Sequence, residues 1–220
     1  MDTPQLVILN ILLLTSASVF LIVIRNRSMK GWGLAYWSLA FCLFSLGLSF
    51  CFLPNVSDIN IRFNITQVNL TIFLGYYFLW VGCLYFFNDS RKYKKRSLPY
   101  IVLFYLAINI ILDDYIAVHE LISINYLLHG TLSSMLAYIF FSYDDQTHFS
   151  SLALGILFGF QAFMRFVFSL VCWLDTQRVT ILSPGEFSFY DFLTITLFIF
   201  TATPFFVLQL FDKKFNRISK

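Results

Sequence analysis

Six polar side chains interrupt stretches that are otherwise apolar: Asn69, Asn109, Asn125, His129, Arg165 and Asp191. A guanidinium holds a carboxylate or another anion through a fork of charged N–H donors. Amides beside it can orient what it holds, in the way that a few placed polar groups give specificity to an apolar pocket. The expected chemistry is therefore capture of a small anion or carboxylate, with Arg165 as anchor and Asp191, His129, Asn125, Asn109 and Asn69 around it. The competing expectation is structural: Arg165 pairs with Asp191 and the amides tie helices together, at ~0.6 kcal/mol for each interhelical hydrogen bond. Glu120, Asp113 and Asp114 are the alternative partners for Arg165.

Catalytic patterns are missing. The sequence holds no HExxH, GxSxG, Walker loop or GxGxxG, each of which carries a defined mechanism. His119, His129 and His148 are spread along the chain, and the first two lie ~15 Å apart if they share one helix. They cannot share one ion, so no metal site and no cofactor is expected. No apolar run contains a Lys, which excludes a retinal Schiff base. Asp113 and Asp114 are adjacent, so on a helix their carboxylates diverge. With His119 and Glu120 they offer the only enzyme-like cluster, and a membrane-embedded lipid-modifying enzyme is kept as one alternative.

The elements that must position these residues follow from composition. Of 220 residues 59% are hydrophobic, 20% aromatic and only 12% charged. A soluble domain carries ~25% charged residues, so this chain lacks the means to cover a water-facing surface. Seven apolar runs, each near the ~20 residues that cross a bilayer, predict helices at about 5–24, 33–53, 66–87, 98–116, 120–141, 151–174 and 187–210. The fold class is all-α: a seven-transmembrane-helix bundle over residues 1–212, with 213–220 beginning a cytoplasmic tail or linker. The first run is a retained helix rather than a signal peptide, because its basic residues (Arg25, Arg27, Lys30) follow the apolar stretch.

Charge sets the orientation. The loops at 25–32, 88–97 and after 211 hold 12 of the 15 basic residues, all on one side if seven helices alternate. The positive-inside rule makes that side cytoplasmic, with the N-terminus outside and the C-terminus inside. Tyr143–His148 should then be cytoplasmic although it carries two acids and no Lys or Arg. The fourth run is the weakest, since Asp113 and Asp114 cut it short; a six-helix chain with a re-entrant hairpin there is the alternative.

Counted from the outer ends, the polar residues lie at similar depth, with Arg165 ~13 Å in from the end of its helix. They predict a polar layer or an outward-open cleft. Gly155 and Gly159 give the Arg165 helix a small-xxx-small face for a close neighbour. Pro204 is expected to kink the last helix. Trp32, Tyr36, Trp37, Trp80, Tyr85 and Trp173 read as interface belts. Cys42, Cys51, Cys83 and Cys172 read as small packing residues. Ser90–Arg96 could hold anionic lipid head groups, at ~1 kcal/mol per basic residue.

Arg25-Asn-Arg27, Gly31-Trp-Gly33-Leu-Ala-Tyr-Trp37 and the helix to Leu53-Pro54, with Val68-Asn69-Leu70, Gly75, Gly82 and Phe86-Phe87, resemble bacterial membrane input domains. Such segments precede GGDEF diguanylate cyclase domains and some histidine kinases; the likeness covers roughly residues 20 to 96. It implies a bacterial inner-membrane sensor whose last helix feeds a cytoplasmic output domain, and a homodimer, because paired outputs need one. No GGDEF, EAL, PAS or kinase sequence follows the last helix here, so no enzymatic activity is expected of this chain. The expected function is a sensory or regulatory input module with membrane lipids, a small ligand in the outer cleft and an output domain as partners, and no nucleic acid. A small transporter or channel subunit is the other alternative, and it would need polar groups through the inner half, where Gln161 is nearly alone.

Overall fold

The computed structural model describes residues 3–27, 32–50, 61–87, 100, 103–105, 107, 111, 115–142, 149–174 and 186–218. Every regular element among them is helical. Six helices are complete: α1 (Thr3–Arg27), α2 (Trp32–Phe50), α3 (Ile61–Phe86), α4 (Val118–Ser142), α5 (Phe149–Leu174) and α6 (Glu186–Ile218). Helical residues at 100, 103–105, 107 and 111 belong to a further helix between α3 and α4. A backbone within a bilayer must satisfy its own N–H and C=O groups, which is why apolar runs of this length become helices. Five of these helices are long and apolar enough to cross a membrane, so the chain is a multi-pass membrane protein in kind.

The exception is α4. It is 25 residues long, but Ser123, Asn125, His129, Ser133 and Ser134 lower its hydropathy. Most of these are buried against protein rather than lipid, so the helix is polar because its neighbours answer it. Its first turn is closed by Glu120, whose Oε2 accepts the Ala117 N–H at 2.8 Å, as the third residue of a capping box does. Glu120 is thereby a cap and does not pair with Arg165. Asp113 and Asp114 lie outside the described residues, as do His148 and Cys51.

Two boundaries differ from the expected ones by five residues or more. α3 begins at Ile61 rather than 66, since Ile65 is buried with Leu121, Ile122 and Cys172 and that packing extends the helix outward. α6 continues to Ile218 rather than 210. Its 33 residues make a rod of ~50 Å, against ~30 Å for a hydrocarbon core. The helix runs through Pro204.

The six helices close a ring: α1 packs on α2, α2 on α3, α3 on α4, α4 on α5, α5 on α6, and α6 on α1. Within α1–α3 and within α4–α6, successive helices are antiparallel. Tyr76 faces His129 and Phe87 faces Phe140, a constant offset that makes α3 and α4 parallel. Two reciprocal serine junctions bind the antiparallel pairs. Ser18 and Ser38 each donate to the other's backbone carbonyl at 2.9 Å across α1 and α2. Ser123 and Ser169 do the same across α4 and α5, at 2.8 and 2.9 Å. Small residues that approach closely and exchange hydrogen bonds are the usual means of joining helices where lipid removes the hydrophobic drive.

Below the polar residues the ring is filled by aromatic side chains. Phe206 of α6 meets Trp37 at 4.6 Å, Phe41 at 5.9 Å, Phe140 at 6.1 Å and Phe158 at 6.2 Å between ring centroids. Trp37 is completely buried there, which corrects its expected place in an interface belt. The reason is Gly82 on α3: the indole occupies the space a side chain would need. Cys83 and Cys172 are buried, whereas Cys42 is exposed. The small-xxx-small pair divides as well. A methyl group on Gly155 would stand 2.7 Å from the Phe141 ring of α4, while one on Gly159 would meet nothing within 4 Å. Gly82→Ala should therefore lower stability by about 1–3 kcal/mol through overpacking, and Gly159→Ala should leave it unchanged; thermal unfolding of the two variants in detergent checks the contrast.

Candidate functional site

The site is assembled on α5, one face of which is buried from Ser150 to Cys172. Gln161 and Arg165 stand four residues apart and so share that face. The Gln161 amide oxygen, turned toward the guanidinium, accepts from Arg165 Nε at 3.2 Å and Nη2 at 3.1 Å. Arg165 Nη1 donates to Asp191 Oδ1 of α6 at 2.7 Å, with both side chains at most one-tenth exposed. The pair expected between these two residues is present, and neither charge is left alone inside the bundle.

Both carboxylate oxygens are engaged. Tyr126 of α4 donates its hydroxyl to Asp191 Oδ2 at 2.5 Å. The guanidinium carbon of Arg165 also lies 5.2 Å from the centre of the Tyr126 ring, within cation–π range. Tyr76 of α3 stands close to the guanidinium and lines the same cavity. Arg165 thus joins four of the six helices through three kinds of contact. One turn further along α6, Asn10 of α1 donates to the Phe192 carbonyl at 3.0 Å and accepts from Thr196 at 2.7 Å. That brings a fifth helix to the same level.

The other expected members are distributed differently. His129 lies behind Tyr76, with ring centroids 5.7 Å apart, close to the backbone of Asn69. Asn69 is buried beside it. Asn125 is turned away from Arg165: it accepts from the Tyr105 hydroxyl at 2.5 Å and donates to the Leu121 carbonyl at 2.9 Å. Its role is to hold the helical residues around 105 against α4. Asn109 lies outside the described residues. His129 Nε2 and Ser133 Oγ, one turn apart on α4, are buried without a hydrogen-bond partner.

Three residues of the hub escaped the sequence reading, namely Tyr76, Tyr126 and Asn10. The tyrosines are two of 12 in a chain rich in aromatics, and only their placement opposite Arg165 distinguishes them. Asn10 carried the available signal, an amide in the middle of an apolar run, which α1 shares with α3, α4 and the segment that contains Asn109. Gln161 was visible, but its pairing with Arg165 is a matter of helical spacing.

Among the described residues no group of three or more His, Cys, Asp or Glu side chains could hold a metal ion. The threonines of α6 do not form a polar lane: Thr194, Thr201 and Thr203 each bond a carbonyl of their own helix at 2.6–2.8 Å, and Thr196 turns its hydroxyl to Asn10 of α1. What the arrangement provides is a charged but internally neutralised junction at the predicted outer level, bordered by a cavity inside the ring. That cavity is lined by Tyr76, Gln161 and Arg165 together with apolar residues such as Leu14, Phe44 and Ile199.

Removing one partner of a buried ion pair leaves the other charge uncompensated, at a cost of about 3–5 kcal/mol. Arg165→Met should therefore destabilise the protein by that amount. Arg165→Met combined with Asp191→Leu should cost clearly less than the two single changes added together. Denaturant unfolding of the three variants in detergent gives the coupling, and additive losses would deny that the two residues act as a pair.

No protein-family model matches the chain, and neither a curated protein nor a solved structure matches it.

Proposed function

We propose that the chain is a membrane-embedded sensory or regulatory module that carries a signal from the Arg165–Asp191 level to its cytoplasmic end. One observation carries this reading. α6 is continuous from Glu186 to Ile218 and is clasped to α5 by polar contacts near both of its ends. The outer clasp is Arg165–Asp191 at 2.7 Å. The inner one is Gln209, whose Oε1 accepts from Ser150 at 2.6 Å and Ser151 at 3.0 Å. A change at the outer clasp can shift a stiff helix as a body, and a shift of 1–2 Å is within the range of known helix-shift switches. A signal acts through such a device only by differential affinity for two arrangements.

Seven crossings with the N-terminus outside fit this use of α6. Parallel α3 and α4 need a return segment between them. Tyr105 stacks on Phe73 of α3 at 4.3 Å and bonds Asn125 of α4, which supports residues 98–116 as that segment. The basic loops support a cytoplasmic face at the end where α6 carries Lys213, Lys214 and Arg217. The likeness to bacterial input domains supports a bacterial inner membrane and a cytoplasmic output domain or partner. A transporter is less well supported, because the rings around Phe206 fill the inner half where a path would have to pass. The Arg165 charge is answered by Asp191, so a free carboxylate is no longer the favoured ligand.

The test is a distance. Spin labels replace Leu39 on α2 and Leu208 on α6, both exposed on the bundle surface, with the exposed cysteine removed. Asp191→Asn in the lipid-reconstituted protein should move the mean distance by about 1–2 Å or split its distribution. An unchanged distribution would remove the support for transmission along α6.

A further inference from the structure

The cavity inside the ring has a composition that selects among occupants. Five helices border it: Leu14 comes from α1, Phe44 from α2, Tyr76 from α3, Gln161 and Arg165 from α5, and Ile199 from α6. Eight of its eleven lining residues are aliphatic or phenylalanine. On the side toward the predicted cytoplasm it ends on Phe41 and Phe198, and Phe198 lies against Phe158 at 5.0 Å. Its volume is about 50 Å³. A single water needs ~10–15 Å³ of such space, so the cavity suits an occupant of roughly three or four heavy atoms.

The polar wall offers donors. A guanidinium has five N–H groups in a fixed fork, and Asp191 and Gln161 engage three of them. Asp191 is not among the cavity's lining residues, so the carboxylate stands behind the guanidinium rather than beside the occupant. The two charges cancel. An anion entering this space would bring an uncompensated charge into a partly open but mostly apolar pocket, a far costlier transfer than that of a neutral group. A purely apolar occupant would leave charged donors facing hydrocarbon. A neutral acceptor does neither, and a hydrogen bond to a charged donor is stronger than one between neutral groups.

We propose that the central cavity binds a small neutral molecule with an apolar body and one hydrogen-bond acceptor, which it presents to Arg165, Gln161 and Tyr76. The ketone or alcohol oxygen would meet the guanidinium wall, and the carbon atoms would rest against Leu14, Phe44 and Ile199. Occupancy would compete with Gln161 for the guanidinium and so reach the Arg165–Asp191 clasp. That regulatory consequence rests on the sensory reading; the binding does not.

The experiment compares three molecules of four heavy atoms: acetone, acetate and isobutene. Each is titrated into the full chain in lipid nanodiscs, and bound ligand is read by magnetisation transfer from protein to ligand. Acetone is expected to saturate, about tenfold more tightly than either acetate or isobutene, as one charged hydrogen bond would give. Ile199→Phe and Leu14→Phe, which fill the cavity from two helices, should abolish the saturable signal. Gln161→Leu, which keeps the wall's volume, should change acetone affinity while leaving isobutene unaffected. Acetate binding as tightly as acetone, isobutene binding as tightly as acetone, or acetone signal that both filling variants retain would each overturn the proposal. So would an acetone signal that never saturates, since that is partition into lipid. The Leu39–Leu208 distance measured with acetone present separates the two claims. Saturable binding without movement of α6 contradicts the sensory reading and leaves the ligand class standing; absent binding contradicts the ligand class alone.

Discussion

A guanidinium placed in the middle of a membrane-length helix constrains everything around it. Inserted alone, Arg165 would cost at least ~2.5–3.5 kcal/mol on insertion scales, and burial in a bundle without a partner would cost more. The arrangement of α4, α5 and α6 follows from removing that cost. Asp191 must face α5, Tyr126 must reach Asp191, and Gln161 must stand one turn from Arg165 on the same face. Those requirements fix the rotation of three helices at once. The reciprocal contacts of Ser123 and Ser169 then fix how α4 slides against α5.

The remainder of the ring is held by shape. Trp37 lies against Gly82, Phe141 against Gly155, and Phe206 gathers aromatic rings from α2, α4 and α5. Lipid provides no hydrophobic drive between helices, so close van der Waals contact has to supply the attraction. The result is a bundle with two characters: a hydrogen-bonded upper level around Arg165, and a dry aromatic lower level around Phe206. The cavity lies where the two meet. α6 passes through both levels, so Asp191 and Gln209 lie on one continuous helix.

The all-helical class and most helix positions were legible in the sequence, because apolar runs of membrane length leave few alternatives. The Arg165–Asp191 pair was legible for the same reason: a lone charge in such a run demands an opposite one, and consecutive antiparallel helices bring residues 165 and 191 to equal depth. Other parts were hidden. Tyr126 and Tyr76 differ from other tyrosines only by the direction they face. Trp37 matched an interface residue by position, yet a glycine on another helix draws it into the core. Asn125 shared the depth of Arg165 but points toward Tyr105. Depth can be counted along a sequence; rotation about the helix axis is decided by packing.

Hydrogen exchange of α6 bears most directly on the claim that its outer clasp governs its inner end. Asp191→Asn keeps the size of the side chain and removes the charge that Arg165 needs. In lipid-reconstituted protein, amides near Asp191 and those around Gln209 should both exchange faster in this variant, while the α1–α2 junction at Ser18 and Ser38 stays protected. Faster exchange confined to the residues around Asp191, with the Gln209 region unchanged, would contradict the account.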